Sequence, residues 1–315
     1  MEPGVYLLGS GREPLFEAID PDKLAVSHQA WEKDAKRLSP WVRTEIAREH
    51  EDSGFAGWRS GRSRPENTVF VCGKCASTMD AIRHLISACS LSPWDCLIAV
   101  QQQKGRGQME RTWISPPGNL YVSWYWPDLE SIDGAGPGWR AMASLLAGQV
   151  AAEALESFGA DVRIKWPNDL LVNDCKICGI LVEHRAGHLI VGIGINLAAA
   201  PPNDRLTDAF AIPAVSLSQL GIEVSPMELM LHMAETGRSR IRQLVKTLEP
   251  EEFVMQLQKR LAWVEQSVTI RRSHHEAVLG EIRGLAADGG LVVRINEKSS
   301  VIYTGSILPR ENIHI

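Results

Sequence analysis

No stretch of this 315-residue sequence approaches the roughly 18 to 20 consecutive apolar residues that a membrane helix needs. The opening MEPGVYLLGSGREPLF has no basic start, no apolar centre and no small-residue cleavage site. No export signal is therefore read there, and a cytoplasmic location is expected. Positive charge is not in surplus: 33 Lys and Arg face 38 Asp and Glu, a net charge of -5. Broad nucleic-acid binding by bulk charge is thereby disfavoured, so any anion site has to be local. Neither nucleic acid nor membrane is an expected partner. Internal repeats and low-complexity tracts are missing too. So is a Walker A loop: in the GKC at 73–75, Thr68 stands where its first glycine should be. A dinucleotide fingerprint also fails, because Gly105 and Gly107 are followed by no third glycine at the required place.

What is present is ordinary globular composition, 44% hydrophobic and 23% charged. The length suits more than one domain, since domains usually hold roughly 100 to 200 residues. There are only six cysteines, and in a reducing compartment they should be free thiols. Two pairs, Cys72/Cys75 and Cys175/Cys178, have zinc-like spacing. Both lie in β-like sequence, where positions three apart point to opposite faces unless a turn intervenes, so buried or half-buried thiols are expected and no structural zinc.

Residues 1–66 are mixed in charge and broken by turn residues, with one helix suggested by WVRTEIAREHE. No compact pair of apolar-periodic helices stands out there, which argues against a DNA-binding helix-turn-helix. From Thr68 the pattern is regular. TVFV reads as a strand, and STMDAIRHLIS as a helix capped by Ser77 or Thr78 and carrying Ile82, Leu85 and Ile86. NLYVSWYWP alternates with apolar residues on both faces. Met142, Leu145, Leu146 and Val150 form the stripe of a helix packed on a sheet. VRIKWPNDLLVNDCKICGILVEHRAGHLIVGIGINL reads as strands joined by ND and RAG turns, too tightly spaced for crossover helices. Residues near 226–260 are helical, and the rest forms short strands separated by DGG and NEKSS, a small β-barrel. The expected fold class is α+β: a mixed, largely antiparallel sheet with flanking helices, plus the terminal barrel. The expected division is an extension of unknown role at 1–66, a catalytic domain at 67–262 and the barrel at 263–315.

The chemistry gathers in three places. QQQKGRGQMERTW sets Lys104, Arg106 and Arg111 around two glycines, a pattern that by itself fits a solvated loop as well as an anion site. KWPND puts Lys165, Trp166, Asn168 and Asp169 around a rigid proline turn, and the following hairpin can return Lys176 to the same end of the sheet. In GIGIN, Gly192 and Gly194 allow either close ligand approach or tight strand packing, and Asn196 offers a donor and an acceptor suited to a base edge. His184, His274 and His275 read as surface histidines.

In combination STM (77–79), QQ before GRG with Arg111 and Trp113 after it, NLYVSW, KWPND, KICGILVE and GIGIN resemble the biotin protein ligase family, in family order and over roughly residues 67–310. The resemblance implies a class II synthetase-like catalytic domain with an SH3-like C-terminal barrel. It also implies a two-step reaction: biotin and MgATP give biotinyl-5′-adenylate, and a lysine of a biotin carboxyl carrier protein then takes the biotinyl group. It assigns Ser77, Thr78, Met79 and Gln102 to biotin, together with Arg106, Gly107, Gln108 and Lys176. Arg106 and Lys176 would flank the carboxyl and phosphate, with Arg111 and Lys165 as further catalytic cations. Trp113, Asn168 and Asn196 would serve the nucleotide beside Arg111, and Asp169 would stand on the magnesium side. Homodimers are frequent in the family.

This sequence departs from the pattern at Gln108, where an arginine is common, and at Met109 and Glu110. It departs again in residues 1–66, which do not resemble the winged helix of repressor-type members; catalysis without operator binding is therefore expected. Lipoate or octanoate transfer is the neighbouring alternative, but its signature in place of GRG and KWPND is not found. A non-catalytic adenylate-binding regulator is the alternative that Gln108 and the first 66 residues leave open.

Overall fold

A computed structural model describes residues 2–9, 15–46, 55–202, 212–271 and 277–310. His274 and His275 lie outside the described residues. The N-terminal part forms β1 (Gly4–Leu8), α1 (Pro21–Ser27), α2 (Gln29–Leu38), β2 (Trp41–Ile46) and β3 (Phe55–Ser60). There follow β4 (Thr68–Cys75), α3 (Thr78–Cys89), β5 (Cys96–Gln102), the two-residue strands β6 (Gly105–Arg106) and β7 (Thr112–Trp113), β8 (Leu120–Trp126) and α4 (Ala143–Ser157). Then come β9 (Arg163–Lys165), β10 (Asp169–Val172), β11 (Cys175–Arg185) and β12 (His188–Ile195), and the helices α5 (Pro226–Thr247) and α6 (Pro250–Leu257).

Ten of these strands form one sheet in the order β2-β3-β1-β4-β5-β8-β12-β11-β10-β9. Only β1/β4 and β4/β5 pair in parallel. The other neighbours run antiparallel, which accords with the mixed sheet read from sequence. Its centre is covered on both sides because neighbouring residues of one strand enter two different cores. Val69 and Val71 join the larger core with α4 and α5, whereas Phe70 and Cys72 join a smaller one with Met79, Ile82 and Leu85 of α3. Burial on both faces explains why β4 and β8 are apolar throughout. The ND turn places Asn173 and Asp174 at φ 50° and 59°, which closes the β10–β11 hairpin in two residues.

Sequence periodicity was misleading in three places. The helix suggested by WVRTEIAREHE is instead β2 over Trp41–Ile46, and residues 47–51 of that stretch lie outside the described residues. Val42, Thr44 and Ile46 are β-branched and pair with β3, a partner that local periodicity cannot register. Two helices do adjoin in the N-terminal part, α1 and α2 meeting at His28, contrary to expectation. They are no free-standing reading head, because Leu24, Trp31 and Leu38 are all in the main core. Third, Cys72 and Cys75 do not face apart: both belong to the smaller core and their thiols hydrogen-bond. That bond, followed by burial, pushes the Cys72 thiol well above its ordinary range.

Asp34 ties α2 to α5. It is fully buried and accepts from the Ser225 hydroxyl at 2.6 Å, the Met227 N–H at 2.9 Å and Arg37 at 3.1 Å. Burial outweighs these donors and pushes its carboxyl up to about 6, above the roughly 3.9 of an unfolded aspartate. The native state therefore binds this proton more tightly, and Asp34's contribution to stability falls as pH rises from about 4 through about 6. Asp34→Asn removes that slope. In melts at pH 4.5 and 7, the variant should gain on the wild type at the higher pH; a pH-independent difference would contradict the assignment.

The C-terminal strands β13 (Ser267–Arg271), β14 (Ala277–Leu285), β15 (Leu291–Ile295), β16 (Lys298–Ile302) and β17 (Ser306–Pro309) form a separate antiparallel sheet, β16-β15-β14-β13-β17. Its Leu291 and Val293 reach the main core, and the Trp166 indole donates to the Gly289 carbonyl at 2.9 Å.

Candidate functional site

One cavity of about 650 Å³ opens where α3, the β6–β7 hairpin, the KWPND turn and β11–β12 converge, and all fourteen site residues expected from sequence line it. The KWPND turn and the β10–β11 hairpin build its charged part. β9 ends on Lys165, β10 begins on Asp169, and β11 returns Lys176 beside them. Asp169 accepts from Lys165 Nζ at 2.9 Å through Oδ2 and from Lys176 Nζ at 2.6 Å through Oδ1. Burial alone would raise the Asp169 carboxyl, but the two ammonium groups outweigh it and hold it well below the usual carboxylate range. Burial lowers Lys165 against the pull of Asp169, helped by the neighbouring charges of Lys176 and Arg111. Lys165 is 5% exposed, whereas the Lys176 side chain is 24% exposed. Lys176 is thus the ammonium nearer an incoming ligand.

Trp113 forms the wall beside this cluster, with Lys176 Nζ 5.1 Å from its ring centroid. Its indole lies so close to the sheet that a Cβ at Gly194 would come within 2.6 Å of the ring, and one at Gly179 within 2.7 Å. The glycine of GIGIN at 194 is therefore required by an aromatic wall, and Gly192 by Met79, whose Sδ would stand 2.7 Å from an added Cβ. Asn196 is buried; its amide donates to the Lys176 carbonyl at 3.4 Å while Oδ1 has no protein donor among the described residues. An acceptor left open in this way suits an exocyclic amine such as that of adenine. Asn168 lines the same space, but its amide is engaged with the Ile180 carbonyl at 2.7 Å, which leaves its oxygen for a ligand.

Ser77 caps α3, accepting from the Met79 N–H at 3.3 Å. Gln102 Oε1 accepts from Thr78 N–H at 2.9 Å and from the Thr78 hydroxyl at 3.2 Å. The GRG loop is the short β6–β7 hairpin, closed by Gly107 N–H on the Arg111 carbonyl at 2.7 Å. Its two arginines take different partners, although the charge of Arg111 is still felt at Lys165. Arg106 bonds Asp80 at 3.0 Å and Glu183 at 3.4 Å, and Arg111 reaches the Ser306 hydroxyl of the C-terminal sheet. Gln108 and Gly107 line the cavity within this hairpin.

The magnesium role expected of Asp169 does not fit this geometry. It is the only carboxylate lining the cavity among the described residues, and both its oxygens already accept from lysines. A divalent cation there would displace ammonium groups from a site already rich in positive charge. Nowhere among the described residues are three or more His, Cys, Asp or Glu side chains placed to hold a metal ion.

Several contributors escaped the sequence reading. Asp80 and Glu183 hold Arg106; Asn119, fully buried, accepts from the N–H groups of Leu197, Ala198 and Ala199 and so shapes the loop beyond Asn196. Ser306 opens β17 of the terminal sheet and Gly305 immediately precedes it. Glu183 sits at the end of KICGILVE and Asn119 opens NLYVSW, so both were within the motifs; Ser306 carried no local signal.

Residues 75–198 match the model of the biotin/lipoate A/B protein ligase family. The chain is 47% identical over 115 residues to the bifunctional ligase/repressor BirA of Escherichia coli, a match covering 34% of this chain and 34% of that relative's length. It is 32% identical over 151 residues to the biotin--[acetyl-CoA-carboxylase] ligase of Paracoccus denitrificans, covering 44% and 58% of the two chains. Among solved structures, the Aquifex aeolicus biotin protein ligase in complex with biotin and ATP superposes with a TM-score of 0.63 at 23% identity, over 78% of this chain and 99% of that one. That superposition establishes the shared fold.

Proposed function

We propose that this chain is an ATP-dependent biotin protein ligase, a reading supported by the match of residues 75–198 to the model of the biotin/lipoate A/B protein ligase family. It activates biotin as biotinyl-5′-adenylate and passes the biotinyl group to a lysine of a biotin carboxyl carrier protein. The observation that carries this reading is the Lys165–Asp169–Lys176 cluster sharing one cavity with the polar Ser77, Thr78 and Gln102 end.

In the first step a biotin carboxylate oxygen attacks the α-phosphorus of ATP, and the bond to pyrophosphate breaks. Two anions must approach. At an effective dielectric near 20, unit charges about 4 Å apart repel by roughly 4 kcal/mol. Positioned cations oppose that repulsion without having to reorganise. Lys176 and Lys165 are already fixed by Asp169, so they meet the incoming carboxylate and phosphate in place. Arg106 and Arg111 sit on the hairpin and add charge when it folds over the adenylate, while Trp113 and Met79 keep water from the mixed anhydride. Magnesium enters with the triphosphate as part of the nucleotide substrate. In the second step the carrier lysine's amine attacks the biotinyl carbonyl and AMP leaves. The working division keeps the chemistry in residues 67–262, with 263–315 contributing Gly305 and Ser306 to the cavity and 1–66 completing the sheet.

The deciding experiment is ATP-dependent labelling of a carrier domain by biotin, with lipoate and octanoate in parallel. Biotin transfer is expected. Preference for lipoate or octanoate would favour the neighbouring activity, and binding of biotin and ATP without transfer would make the protein a regulator.

Gln108 bears on how long the adenylate stays. An amide hydrogen-bonds but supplies no charge. Gln108→Arg is expected to slow escape of biotinyl-adenylate severalfold, read as its off-rate from the purified enzyme. An unchanged off-rate would mean that Arg106, Arg111 and Lys176 already suffice.

A further inference from the structure

A directed chain of hydrogen bonds runs behind the polar end of the cavity. The Ser123 hydroxyl donates to Thr78 Oγ1 at 2.8 Å, and Thr78 Oγ1 donates to Gln102 Oε1 at 3.2 Å. Gln102 Nε2 donates to Ser115 Oγ at 3.1 Å, and Ser115 Oγ donates to the Trp113 carbonyl at 3.2 Å. Thr78, Gln102 and Trp113 line the cavity; Ser123 and Ser115 do not, and they are 0% and 5% exposed.

The polarity of this chain is set at its ends. The Trp113 carbonyl can only accept, so Ser115 must donate to it and is left to accept from Gln102. The Thr78 backbone N–H, 2.9 Å from Gln102 Oε1, can only donate, which fixes the same amide from its other side. Gln102 is therefore locked with its oxygen toward α3 and one amide N–H unspent. At the opposite end, donation from Ser123 takes one lone pair of Thr78 Oγ1 and keeps the Thr78 proton on Gln102. The second Thr78 lone pair stays open. Ser77, 2% exposed, accepts from Met79 N–H, and no protein acceptor among the described residues takes its proton. The cavity wall thus carries donors from Ser77 and Gln102 beside an acceptor from Thr78.

We infer that Ser123 and Ser115 are positioning residues that set this donor–acceptor order, making the cavity selective for a head group with a carbonyl next to an N–H over an apolar or disulfide-bearing acyl head. The inference rests on the proposed acyl-adenylate chemistry and adds to it the source of acyl selectivity, which lies outside the cavity. Without Ser123 one Thr78 lone pair loses its donor, and only the bond to Gln102 is left to orient the hydroxyl. Without Ser115 the Gln102 N–H loses its acceptor and the amide its second anchor. An acyl chain that uses none of these groups should not register either loss.

The test compares adenylate formation with biotin and with octanoate in the wild type, Ser123→Ala and Ser115→Ala, with the KM for ATP measured alongside. In each variant kcat/KM for biotin should fall about tenfold, the loss appearing mainly in KM, while octanoate and the KM for ATP hardly change. The biotin-to-octanoate ratio then falls about tenfold. Ser123→Cys, which keeps a weaker donor, should lie between wild type and Ser123→Ala. Loss of all three parameters together in both serine variants would mark a structural role and overturn the inference, as would an unchanged ratio. Ser115→Ala decides the matter if Ser123→Ala does not fold. A wild type that activates no biotin would instead remove the proposed function on which the test stands.

Discussion

Lys176→Gln is expected to slow adenylate formation by roughly 10² to 10³, the range seen when one preorganised electrostatic donor is removed from a reacting centre. Three features single this lysine out. Its ammonium is 2.6 Å from Asp169, it lies against the Trp113 ring, and its side chain is more exposed than that of Lys165. The fold should tolerate the change, because Asp169 keeps Lys165 at 2.9 Å. Lys176→Arg should recover little. The guanidinium is planar and larger, and Lys176 Cε already passes 3.3 Å from where a Cβ on Gly179 would lie. Pyrophosphate exchange with biotin and ATP reads the effect directly. Exchange within threefold of wild type would remove Lys176 from the chemistry.

Asp169→Ala should cost both activity and stability. It leaves Lys165 buried without its partner, and breaking a buried ion pair from one side costs about 3–5 kcal/mol. Because Lys165 is already lowered by burial, part of that cost is relieved by loss of its proton, which removes a cation from the site. The pH dependence has a definite sign. The native Asp169 carboxyl lies below its unfolded value of about 3.9. Its stabilisation is fully present above that value and fades as pH falls through the native one. Denaturant melts should therefore show a large gap between wild type and variant at pH 7 that narrows in strong acid. A double variant, Asp169→Leu with Lys165→Met, should regain much of the stability and none of the activity. Such a separation would show that the cluster is maintained for chemistry rather than for folding.

The sequence by itself determined the strands whose pattern is local. β4 and β8 were legible because both faces are apolar, α3 because Ser77 precedes a helical stripe, and the β10–β11 hairpin because Asn173 and Asp174 accept positive φ. The family resemblance carried by KWPND, GRG and GIGIN also named residues that line the cavity, although the local pattern of GRG and GIGIN alone left other readings open. Only the tertiary structure decided what depends on distant pairing. β2 is a strand because β3 is beside it, and Asp34 is buried because the N-terminus of α5 lies across it, 191 residues away in sequence. The aim of the arginines belongs to this group as well. Spacing puts Arg106 and Arg111 on one hairpin, but Asp80, Glu183 and Ser306 decide where their guanidinium groups point. A long flexible side chain takes its direction from whichever partners the fold brings near, and those partners lie on three other elements.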